Sequence, residues 1–439
     1  MAIGLHSECI KRLLEKMPQY LANIRVDNDI FLNYKSTISL LLLEKMLPEI
    51  GKVRERINQY IGGELPLFSF TLEAIHRDFI ENGTYNSKRK GALLNAFKNY
   101  ADLGEVAKRI IQDFENLPEA YLISYELPID IGSKIRETGA KYEISPKVKI
   151  ASPDESFNTT YPLQSGIRQR DEHLFGYGIL SIIGSERKWN QGTGYLQVET
   201  EGFIGQFWET TPLIGVITTL KAFIGLSLAL RLLKVGEDPR ALTFGMPIKT
   251  YLIVHRKAGE KFEIWDTPEL PSDLSETLGK LAIDNLDGRL DTQEKIGDWV
   301  RTQLSDISLA LRNPKAERIL SAAEWFLDSY VGKNELLSFV QAMVVVEILL
   351  GDKAKSDLVG LEELLANRCA YLIAKSHSKR ISVLEDFRKI YEVRSKIVHR
   401  GKSRLTFNER ELFSKLQWIC RRVIREELNL IAKDKEETP

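Results

Sequence analysis

Near the end of this chain, the segment Tyr391-Glu-Val-Arg-Ser-Lys-Ile-Val-His-Arg-Gly401 places Arg394 and His399 five positions apart. These residue types can cleave RNA without a metal. An imidazole moves protons near neutral pH, and a guanidinium holds a phosphate through paired donors. From Arg388 to Arg404 there are seven basic residues: Arg388, Lys389, Arg394, Lys396, Arg400, Lys402 and Arg404. Within that segment only Glu392 opposes them. The whole chain carries 61 basic and 61 acidic residues, so the cluster is local and not a general bias. A local positive field beside a titratable histidine suits a phosphodiester substrate.

Spacing alone decides little. A second Arg-x4-His, Arg168 to His173, falls in a polar stretch without apolar periodicity and reads as a surface loop. Around Arg394 the context is helical. Leu384, Phe387, Tyr391 and Val398 form one apolar stripe, with Arg394 at its edge. A cation at a buried face needs a carboxylate, a partner subunit or a ligand phosphate. His399 lies about 140° further round an ideal helix. The two side chains can meet if the helix ends near Gly401, or if a symmetric dimer shares the site. The competing structural reading is an Arg–carboxylate pair with a histidine stabilising a helix C-terminus. Its carboxylate is at hand: Leu336–Leu350 is apolar nearly all round, and Glu347 is its only acidic group. Arg368 and Arg394 both qualify as the partner of Glu347.

The surrounding elements point to a multidomain α+β protein. Residues 1–118 read as helical, with long apolar spacing in Ser36–Ile50 and 89–117. Residues 119–270 form a mixed α+β region suited to sensing or regulation. There Ala120–Leu127 alternates as a half-buried strand, and Lys249–Trp265 reads as two strands turning at Lys257-Ala-Gly-Glu260. From about 272 the pattern is helical again, and residues 280–433 read as an all-α bundle of about six helices. Breaks fall near Asn313-Pro314, Gly332-Lys-Asn334, Gly351-Asp352 and Gly401-Lys-Ser403. Residues 434–439 read as a solvated tail.

At 439 residues, 43% hydrophobic and 28% charged, the composition is that of a soluble globular protein. Net charge near zero argues against a nucleic-acid coat protein. Cys9, Cys369 and Cys420 make neither a zinc motif nor a disulfide framework, in keeping with a cytoplasmic setting. No signal-peptide core opens the chain. Residues 211–233 are apolar enough to suggest a membrane span, but Lys221 at the centre favours a buried helix over membrane insertion. Gly401-Lys402-Ser403 lacks the earlier glycine of a phosphate-binding loop. No metal or cofactor is expected.

The C-terminal region resembles the Apea-like branch of the HEPN superfamily over roughly residues 290–430. The matching pieces are Ala342-Met-Val-Val-Val-Glu347-Ile-Leu-Leu, then Ala366-Asn-Arg368-Cys-Ala-Tyr371-Leu, then Tyr391 to His399. One departure is Arg400, which stands between His399 and Gly401 where the family has glycine directly after the histidine. The resemblance implies a helical bundle that dimerises with both Arg–His motifs at the interface. It also implies metal-independent endoribonuclease activity, often in toxins and anti-phage abortive defence, with no activity in some relatives. On that footing Arg394 and His399 are catalytic, and RNA cleavage leaves 2′,3′-cyclic phosphates. Lys396, Arg400, Lys402 and Arg404 bind flanking RNA phosphates. Ser395, Tyr391, Glu347 and Arg368 support the site. Residues 1–270 would hold the nuclease off or sense a phage-derived or nucleotide trigger. The alternative is a non-catalytic RNA-binding or protein-interaction module that keeps the fold.

Overall fold

The computed structural model describes residues 1–28, 31–82, 90–137, 142–163, 189–205, 209–236, 249–284, 286, 288–352, 354, 357 and 360–436. The architecture is mixed α+β. Its centre is a six-stranded antiparallel sheet in the order Lys261–Asp266, Ile253–Ala258, Glu119–Glu126, Tyr195–Gly202, Val148–Ala151, Tyr142–Ser145. Register is explicit in the middle: Tyr121 faces Thr200 and Arg256, and Ile123 faces Val198 and Val254. The hairpin expected at residues 249–265 forms, with Gly259 at φ 62° in its turn.

The Glu119–Glu126 strand is not half-buried as its alternation suggests. Tyr121, Leu122, Ile123, Ser124 and Tyr125 are all buried. As a central strand it is covered on both faces. Tyr121, Ile123 and Tyr125 join the main core, while Leu122 joins a smaller aromatic cluster with Phe157, Tyr161 and Trp189. The expected helical reading of residues 1–118 also needs correction. Three short strands, Arg25–Asn28, Phe31–Leu32 and Gly91–Ala92, form a small sheet there, and Ile38–Met46 winds as a 3-10 helix. Leu281–Ile283, inside the stretch expected to be helical, pairs with Leu233–Val235.

Buried apolar residues fall into two large clusters. One spans Ile3 to Leu117 and adds Phe203. The other runs from Tyr121 to Leu428 without a break between the sheet and the C-terminal helices. The Thr211–Ala229 helix links them: it packs on the Tyr195–Gly202 strand, on Glu317–Asp328 and on Phe407–Glu436. It is apolar and long enough to cross a membrane, yet 67% of its most apolar window is buried. Lys221, the charge at its middle, bonds Asp328 at 2.7 Å.

The aromatic cluster also buries a histidine. His255 is fully buried, its Nε2 lies 3.0 Å from the Pro162 carbonyl, and its ring stacks on Trp189. Burial pushes its pKa from 6.5 down to about 4. Between those values the unfolded chain takes up a proton that the fold refuses. Stability from this residue is therefore intact above pH 6.5 and falls as pH drops toward 4, by up to about 3 kcal/mol. Burial lowers His76 in the same way, to about 4, so melting temperatures across pH 4–7 should show a slope from both histidines, and His255→Gln should remove about half of it. A variant that keeps the full slope would show that another group carries it.

Candidate active site

Seven α-helices of seven to thirty residues follow from residue 272 among the described residues, and five position the site. Glu335–Leu350 is the central one, packed by Glu317–Asp328, Leu361–Ile373, His377–Arg400 and Phe407–Glu436. Asn334 starts it by accepting from the Leu336 and Leu337 amides. Its apolar surface has neighbours nearly all round, so Glu347 is the residue whose charge must be matched.

The His377–Arg400 helix carries the motif. Ser376 caps its start by accepting from the Lys379 amide. Gly401 ends it in the left-handed conformation, φ 61° and ψ 39°, which glycine adopts without steric cost. His399 and Arg400 fill the last turn, where the exposed carbonyls favour positive charge. The buried face is Val383, Phe387, Ile390 and Val393, not the stripe expected from periodicity. Val398 is 47% exposed, because the last turn runs out past the helices it packs on.

Arg394 lies on the buried face, one turn on from Ile390 and two from Phe387. Its Nη2 reaches Glu347 Oε1 at 3.4 Å, and its guanidinium lies 5.8 Å from the Tyr391 ring centre. Its Nε is buried and has no hydrogen-bond partner among the described residues. Glu347 is thus matched by Arg394. Arg368 does other work: it donates to the Leu350 carbonyl at 2.6 Å and to Asp352 at 3.1 Å. Together with Arg318, which donates to the Ile348 carbonyl at 2.9 Å, it satisfies the C-terminal end of the central helix.

His399 is exposed. The helix is regular through Arg400, so Arg394 and His399 stay about 140° apart. They do not converge within one copy by unwinding of the helix end. Ser395 and Tyr391 are half-buried beside Arg394.

The basic cluster is less free than its sequence suggests. Lys396 bonds Glu392 at 2.8 Å and holds that carboxyl below its usual range. Lys402 bonds Glu409 at 3.0 Å, and Arg388 bonds Glu363 at 3.2 Å. Glu409 is held in turn by a reciprocal cap with Thr406, accepting from its amide at 2.7 Å. Glu363 and Glu409 come from flanking helices, so Glu392 is not the only opposing charge. Arg400 and Arg404 are exposed. Arg168 and His173 lie outside the described residues.

Sequence reading passed over a second group of cations. Trp418, Arg421, Arg422 and Arg425 share one face of the Phe407–Glu436 helix and line a cavity with Arg231. Their 0, 3, 4, 7 spacing was the available signal. A scan of protein-family models, a search of curated proteins and a search of solved structures found no match to this chain.

Proposed function

We propose that this chain is a metal-independent endoribonuclease with a HEPN-type C-terminal fold, working as a homodimer through its His377–Arg400 helices. The observation that carries the reading is the state of Arg394. One carboxylate anchors it at the long distance of 3.4 Å, and its buried Nε lacks a partner. Such a guanidinium is oriented, and although the buried Nε is out of a ligand's reach, the side chain is 21% exposed and keeps donors for a phosphate oxygen. The 140° separation from His399 is what makes the second copy necessary: an Arg394 from one protomer would meet a histidine from the other.

In that site one His399 takes the proton from a ribose 2′-OH as its oxygen attacks the adjacent phosphorus. The P–O5′ bond breaks, and His399 of the partner subunit protonates the leaving 5′-oxygen. The product carries a 2′,3′-cyclic phosphate. Arg394 stabilises the charge on the phosphoryl oxygens. Exposed Arg400 and Arg404 hold flanking phosphates, while Lys396 and Lys402 must exchange an ion pair to do so. The biological setting would be abortive anti-phage defence or a toxin-like system in the cytoplasm, with residues 1–270 sensing a phage-derived or nucleotide trigger.

A second reading has its own support. The Glu347–Arg394 pair and the ion pairs of Lys396 and Lys402 also fit a binding module without catalysis. Incubating a mixed RNA pool and matched DNA with the protein in EDTA separates the two. Cleavage of RNA alone, with cyclic phosphate ends, is the expected outcome. A folded dimer that retains RNA and leaves it intact would rule in favour of the binding module.

A further inference from the structure

A cavity of about 220 Å³ lies where the Phe407–Glu436 helix passes the end of the Thr211–Ala229 helix. It is lined by Ala229, Arg231, Trp418, Arg421, Arg422 and Arg425. Four guanidinium groups around one small cavity is a costly arrangement unless anions answer them. Two carboxylates answer in part. Asp284 bonds Arg231 at 2.8 Å, and Glu426 bonds Arg422 at 2.8 Å. A third, Asp306, interacts with Arg425, and burial raises its pKa. Arg425 spends one donor on the Leu230 carbonyl at 2.7 Å, which caps the end of the neighbouring helix. That cap accounts for a donor of Arg425, and the two ion pairs account for Arg231 and Arg422, which leaves Arg421. Arg421 Nε is buried and has no hydrogen-bond partner among the described residues. Burial, then the nearby Arg422, lowers the Arg425 pKa, as expected of crowded cations.

Trp418 supplies the second half of the recognition. It lines the same cavity yet is 48% exposed, so its ring stands at the rim. A flat aromatic surface beside a cationic pocket matches a ligand that joins a base to phosphates. Size agrees. The cavity equals about seven water volumes of roughly 30 Å³ each, enough for a di- or triphosphate group but not for a nucleoside as well. The base must therefore lie outside, where Trp418 is.

We propose that this cavity binds a nucleoside polyphosphate, with the phosphates against Arg421, Arg422 and Arg425 and the base stacked on Trp418. This site does not depend on the ribonuclease reading and uses none of its residues. Calorimetric titration of the full chain with ATP and with inorganic pyrophosphate, without divalent metal, tests it. Both should bind, ATP about tenfold or more tighter because of stacking. Arg421→Gln should weaken both ligands by about tenfold or more. Trp418→Ala should bring ATP down to the affinity of pyrophosphate and leave pyrophosphate unchanged. Trp418 is exposed enough for that variant to fold, and Arg422→Gln serves if Arg421→Gln does not. Failure of wild type to bind either ligand at millimolar concentration overturns the proposal. So does binding that is indifferent to Trp418→Ala and to the arginine variants.

Discussion

His399→Ala is expected to lower RNA cleavage by about 10²–10⁴-fold, the usual contribution of a positioned general acid or base. The fold should hardly notice. His399 is exposed in the last helical turn, and losing its side chain there costs about 1 kcal/mol or less. A melting curve beside the cleavage assay keeps the two effects apart. Arg394→Ala is the less clean variant. It should cost about 10²–10³-fold in rate as a lost transition-state donor, but it also strands Glu347 on the central helix. Cleavage that survives His399→Ala undiminished would remove the histidine from the chemistry. It would leave the motif as an ion pair and a helix cap.

A large loss of stability is expected at Gly225. A Cβ built there comes within 1.9 Å of the Ala323 carbonyl oxygen, a backbone atom of the facing Glu317–Asp328 helix. Backbone does not yield as a side-chain tip does. Gly225→Val must therefore push apart two helices at the junction of the sheet and the C-terminal region. We expect a loss of about 3 kcal/mol or more, at the upper end for overpacked cores. Gly215 on the same helix is the control. Nothing lies within 4 Å of its Cβ position, so Gly215→Ala should be neutral or stabilise by up to about 1 kcal/mol. Equal melting temperatures for wild type and Gly225→Val would mean that the close approach of these helices is not as placed.

The expected C-terminal breaks were readable because each is a local event. Asn313-Pro314, Asn334 and Gly401 stop or start helices by their own backbone chemistry. The hairpin at Ile253–Asp266 was readable for the same reason, since a turn glycine sits between two apolar runs. Periodicity was weaker as a guide. It put Phe387 on the buried face but centred the stripe on Leu384 and Tyr391, which are half-buried, and extended it to Val398, because a stripe does not say where the packing partner ends.

Partners far apart in sequence were beyond local pattern. The choice between Arg368 and Arg394 for Glu347 rests on how three helices cross, and it falls to Arg394 because Arg368 is turned to the helix end at Leu350. Glu363 and Glu409 neutralise part of a cluster that looks uniformly basic along the chain. The two-sided burial of Glu119–Glu126 needs strands and aromatics from as far as residue 264. The arginine cavity joins residue 231 to residues 418–425 across nearly two hundred positions. Residue types and short-range spacing thus marked several C-terminal helix ends and one hairpin turn, and named the groups to consider for chemistry. Which charges remain available to a ligand was settled by long-range packing, since each ion pair depends on distances of a few ångström between segments remote in the chain.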